Sequence, residues 1–154
     1  MRKLIILFIA VFAGAQLMAQ TELDYIEIAR DVLKTEKKAT IAEVMELSKA
    51  EADVFWPLYN EYNNKVSVIQ NERIKIVMDY AENFEKLTPE KADELWTGSM
   101  KVDQQLLKLE KSYYKKFKKI LPVKKAARYF QAENKIETLI NAQLALEIPF
   151  IEAD

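Results

Sequence analysis

From residue 21 onward, apolar side chains recur every three or four positions, and few residues break the rhythm. That spacing puts them on one face of an α-helix and rules out the strict alternation of a half-buried strand. Tyr25, Ile28, Val32 and Leu33 set the first stripe, behind a start signal at Thr21 and Asp24. A first helix is predicted over about 22–46, with a second start signal inside it at Thr40, three residues before Glu43. Ser48 and Glu51 repeat that spacing, so Thr40 and Ser48 both read as capping-box hydroxyls.

The next stripe runs through Phe55, Tyr59, Tyr62, Val66, Ile69, Ile76, Tyr80 and Leu87 at a mean spacing near 3.5. It predicts a long helix packed lengthwise on another. Pro57 sits inside it, removing one backbone bond and crowding the Asp53 carbonyl, so a kink or a short separate turn is expected before it. Thr88 then Pro89 read as an N-cap followed by a first helical residue. The helix after them carries Leu95, Val102, Leu106, Leu109, Tyr113, Phe117 and Ile120, with lysines mostly on the other side. Gly98 weakens it unless another helix crosses closely there. Pro122 restarts the chain, and Ala126, Tyr129, Phe130, Ile136, Leu139, Ile140 and Leu144 form a last stripe before Pro149. The fold class is therefore all-α: four or five long amphipathic helices in an elongated arrangement of hairpins.

Two of these starts are related. Residues 47–56 (LSKAEADVFW) and 87–96 (LTPEKADELW) share Leu, Ser/Thr, Ala, Asp and Trp at an offset of 40. A solenoid needs at least three such units, and residues 121–126 give only a faint third, so the pair reads as two related helical hairpins.

Composition changes the picture at the N-terminus. Arg2 and Lys3 precede an uninterrupted apolar run over 4–13, with small residues behind it. This is the layout of a cleavable signal peptide, with sites after Ala15 or Ala19. The run is short for a bilayer span, which takes about 20 residues. The expected organisation is a signal peptide over 1–19 and one helical domain over 20–154, exported to the periplasm. Without the leader's two bases the chain carries 21 basic and 24 acidic side chains, a net charge of −3. The balance is uneven. Residues 101–128 hold ten Lys or Arg against Asp103 and Glu110, while residues 129–154 hold five acids and Lys135. A local basic block favours a binding surface over a nucleic-acid partner.

Residues 47–51 (LSKAE) and 87–91 (LTPEK) resemble the repeated LTxxQ helix starts of the Spy/CpxP family of periplasmic proteins, with Glu51 and Lys91 where the family has Gln. Residues 121–130 (LPVKKAARYF) are similar to the opening of that family's last helix, and the likeness in arrangement covers roughly 40–147. The resemblance implies a thin, curved helical homodimer that holds unfolded polypeptides without ATP. It also leaves open a regulator that docks on an envelope-stress sensor protein. A non-catalytic structural role in the envelope is a further alternative. Because the motif caps helices, it carries fold information and no client contacts.

The chemistry points the same way. The chain has no His and no Cys, and Gly98 is the only glycine outside the leader. The usual general base, the thiolate nucleophile and the phosphate-cradling loop are thus absent. No enzyme activity, cofactor or metal site is expected; zinc and copper sites draw on His and thiolate, and no carboxylate-rich loop offers a hard-cation site. Candidate contacts to clients or partners are Lys108, Lys111, Lys115 and Lys118 among Tyr113, Tyr114 and Phe117, with peripheral contact to anionic lipid as another use of the same lysines. Arg73 falls on the apolar stripe and needs a carboxylate, for which Glu133 or Glu137 is the expected partner.

Overall fold

The computed structural model describes residues 33–151, and among these every regular element is helical. The leader and the first turns of the expected opening helix lie outside the described residues. The chain divides at Glu46 into two compact units. In the first, helix α1 (33–45) buries Ile41 and Met45, one turn apart. Thr40 is not a cap: it lies within α1, and its hydroxyl donates to the Glu36 carbonyl at 2.9 Å. Within a helix a threonine hydroxyl can bond back to the carbonyl four residues before it, and here the helix continues through Thr40. The helix stops at Glu46, whose φ of 45° is left-handed and ends the helical hydrogen bonding.

The second unit holds α2 (Lys49–Asn83), a short 3₁₀ turn (Phe84–Lys86), α3 (Pro89–Ile120) and α4 (Val123–Glu147). The local starts follow from side-chain chemistry. The Ser48 hydroxyl accepts from the Glu51 N–H, and the Glu51 carboxylate accepts from the Ser48 N–H at 2.8 Å, a complete capping box. Thr88 Oγ1 accepts from the Lys91 N–H at 3.2 Å, and Pro89 takes the first turn, where its missing donor costs nothing. Each such cap is worth about 1 kcal/mol.

α2 runs unbroken through Pro57, so no separate turn precedes it. Pro57 and Asp53 both lie on the exposed side, where water can satisfy the carbonyl the proline leaves free. The flanking Phe55 and Tyr59 are buried and hold the backbone in place.

Cross-helix pairs fix the packing. Arg73 pairs with Asp103, Asp79 with Lys91 at 2.7 Å, and Phe55 stacks on Phe117, so α2 and α3 run side by side in opposite directions. α4 follows α2 in the same direction, through Glu51 to Lys125, Asn63 to Tyr129, Gln70 to Glu137 and Tyr80 to the Pro149 carbonyl. The core is concentrated where α2 begins, α3 ends and α4 begins. Phe55, Tyr59, Tyr62, Tyr113, Phe117, Tyr129 and Phe130 are all buried there, with ring centroids 4.7–6.4 Å apart. Each such pair adds about 0.5–1.5 kcal/mol beyond the area it buries.

Gly98 supports the close crossing. A Cβ there would meet Ile76 Cδ1 of α2 at 3.2 Å, tighter than ordinary contact. The two tryptophans of the sequence repeat part company: Trp56 packs its edge on Phe55 and Tyr59, whereas Trp96 is 66% exposed.

Candidate functional site

Of the sequence-predicted contact residues, the structure separates the aromatic ones from the lysines. Tyr113 and Phe117 are core residues with relative exposures of 1% and 0%. Phe117 touches Phe55, Tyr129 and Phe130, and the Tyr113 hydroxyl donates to Glu61. Neither can touch a client, which corrects the expectation for both. Tyr114 is half-buried against Phe130, with Lys118 Nζ 4.8 Å from its ring centroid. Lys108, Lys111, Lys115 and Lys118 are exposed on the outer side of α3. The seven-residue step from Val102 to Leu109 and the four-residue step from Tyr113 to Phe117 mark the core face, and the lysines lie across the helix from it.

Arg73 is also placed differently. Its guanidinium meets Asp103 of α3 and donates to Gln70 Oε1 at 3.2 Å. Tyr129 is level with Asn63, and Glu133 stands one turn further along α4, still about six residues or ~9 Å of helix axis from the level of Arg73, whereas Asp103 lies directly across from it. Glu137 accepts from Gln70 Nε2 at 3.4 Å, so it serves the neighbour of Arg73 and not Arg73 itself.

Electrostatics at the packed end are dominated by burial. Desolvation pushes the phenols of Tyr59, Tyr62 and Tyr129 well above the usual tyrosine range, and the Glu133 carboxylate adds to the shift in all three. At its rim two carboxylates move the other way. Glu61 drops to about 2, because it accepts from the Tyr113 hydroxyl and from Lys116 Nζ at 3.1 Å. Glu51 drops to about 2 through Lys125 Nζ at 2.6 Å and then the Ser48 N–H. Lys116 rises in turn, chiefly through its bond to Glu61. These pairs tie helices together at the edges of the packed end.

The remaining surface feature is apolar. Leu139, Leu146, Phe150 and Ile151 are 55%, 80%, 95% and 48% exposed at and beyond the end of α4. Leu139 and Leu146 are seven residues apart, so they share one face of the helix. The Tyr80 hydroxyl donates to the Pro149 carbonyl at 3.0 Å, which fixes the chain just before Phe150 and leaves that ring in solvent. Sequence reasoning counted Leu139 with the core stripe. The signal that separates it is phase: Leu139 lies about 60° round the helix from Ile136 and about 100° from Ile140, on the side away from the stripe.

No cluster of three or more His, Cys, Asp or Glu side chains placed to hold a metal ion occurs among the described residues. No helix among them is long and apolar enough to cross a membrane. No family model, curated protein or solved structure matches the chain.

Proposed function

We propose that this chain is an exported, non-catalytic holder of partly unfolded polypeptides, working without ATP in the manner of the Spy/CpxP family that its helix starts resemble. The observation that carries the reading is the apolar group at and beyond the end of α4: Leu139 and Leu146 share one exposed face of the helix, and Phe150 and Ile151 stand in solvent just after it. Scattered single apolar residues on a surface need no explanation, but four of them gathered at one end of the chain's last helix offer a shallow site for apolar segments of a client. Capture would be weak and reversible, since the group has no deep pocket to fill and each side chain keeps part of its surface wet. The reading carries with it the family's homodimer and the periplasmic location that the leader implies.

The test is suppression of aggregation. The wild-type protein should slow the aggregation of two unrelated unfolding substrates at modest molar ratios. Leu139→Ser with Leu146→Ser and Phe150→Ser should lose most of that effect while keeping its helical circular dichroism. A wild-type protein that suppresses neither substrate, or a triple variant that works as well as the wild type, removes the proposal. Sedimentation velocity across a hundredfold concentration range tests the dimer separately.

A further inference from the structure

The outer face of α3 has a chemistry that the aromatic core and the α4 group do not use. Lys101, Lys108 and Lys115 repeat at seven-residue steps, with Lys111 between them and Lys118 and Lys119 just beyond, and all six are exposed. At 1.5 Å per residue the row runs for about 27 Å. Among the described residues, no carboxylate pairs with Lys101, Lys108, Lys111, Lys115, Lys118 or Lys119; the lysines of α3 that do pair are Lys91 and Lys116. The two acids of the stretch do not neutralise the row. Asp103 is taken by Arg73, and Glu110 lies about 100° round the helix from Lys111. Along one edge run Trp96, Met100 and Leu107, which are 66%, 43% and 49% exposed and spaced so as to share a stripe.

We propose that this face of α3 docks on the surface of an anionic lipid bilayer, the lysines on the headgroup phosphates and Trp96, Met100 and Leu107 at headgroup depth. Charge decides the sign of the partner: six ammonium groups in line need a repeating array of negative charge. Shape decides its kind. The side of a helix facing away from its packing partner is a convex ridge without walls, so it cannot enclose a peptide, whereas a bilayer presents a flat field of charge along its whole length. Lysine suits the task because its long apolar stem lies along the headgroup region while the ammonium stays wet. A tryptophan at the edge of the row has the amphipathic ring that sits at that depth. A second copy on the same face would set lysines against lysines. The inference is independent of client capture, which rests on α4.

The test uses the full chain with vesicles of phosphatidylcholine alone and with a third phosphatidylglycerol. The leader partitions into both compositions, and its Arg2 and Lys3 add an anionic preference common to all variants, so the readout is the ratio of the two affinities compared between wild type and variant. That ratio should favour the anionic vesicles at low salt and fall toward one at 0.5 M salt. Lys108→Gln, Lys111→Gln and Lys115→Gln together should lower it on the order of 100-fold, at roughly fivefold per lysine near a charged surface. In a Trp56→Phe background, emission from Trp96 should shift to the blue on anionic vesicles only. Equal affinity for the two compositions, or a triple variant with an undiminished ratio, overturns the proposal. So does a row that binds poly-glutamate but not phosphatidylglycerol, which would assign this face to an acidic polypeptide.

Discussion

Replacing Phe117 by Ala separates a core role from a contact role. The side chain is fully buried, and its ring lies 4.7–5.6 Å from those of Phe55, Tyr129 and Phe130, one from α2 and two from α4. Truncation removes the transfer free energy of the ring, leaves a cavity between three helices, and breaks three aromatic contacts. Phe to Ala at such a site costs about 3–5 kcal/mol. Against a domain stability of about 5–15 kcal/mol, this is a third or more of the total. With a urea slope of about 2 kcal/mol/M, the midpoint should fall by roughly 2 M at unchanged slope. Urea unfolding followed by circular dichroism at 222 nm measures it. Tyr114→Ala is the internal comparison: half-buried, with ring contact to Phe130 only, it should cost clearly less. A Phe117→Ala protein that unfolds within 1 kcal/mol of the wild type, yet loses aggregation suppression, would refute the placement of this ring in the core and restore it to the binding surface.

Two further results are expected. Stability should fall at both ends of the pH scale. Glu51 and Glu61 titrate near 2 when folded and near the ordinary 4.5 when unfolded, so their contribution is present above about pH 4.5 and drains away as the pH drops toward 2. Lys125→Met should flatten the Glu51 part of that limb. The phenols of Tyr59, Tyr62 and Tyr129 stay protonated when folded but ionise near 10 when unfolded, so stability also declines as the pH rises past 10. Absorbance at 295 nm showing all seven tyrosines titrating together near 10 while the helices persist would contradict this. At Gly98, Ala should change stability little, because a helix-propensity gain of up to ~1 kcal/mol opposes the shift demanded of Ile76. Leu should cost about 1–3 kcal/mol, and thermal melts of both variants read the difference.

Local features were legible before any coordinates. Ser48 with Glu51, Thr88 with Pro89, and Pro122 each specify a helix boundary through groups within four residues of it, so the boundaries of α2, α3 and α4 could be read from the chain. The all-helical class followed from the same rhythm and from the near absence of glycine. The core stripe of α3 was legible too: the spacing that joins Leu95 and Val102 also takes in Tyr113 and Phe117, and assigning those rings to a binding face went against it. Thr40 shows the limit of the local rule, since a hydroxyl that caps one helix can equally bond back into another, and only the path of the chain chooses.

What the sequence alone determined was where helices start and stop and which side of each is greasy, because hydrogen bonds at a cap and periodicity along a helix act over a few residues. Which carboxylate met Arg73, that Ile76 would rest on Gly98, that Trp56 would be packed while Trp96 stood in solvent, and which lysines of α3 met a carboxylate among the described residues were decided by the tertiary structure. Each depends on the axial register between helices joined through distant turns. A shift of one helical turn, about 5.4 Å, exchanges one set of partners for another without altering any local signal.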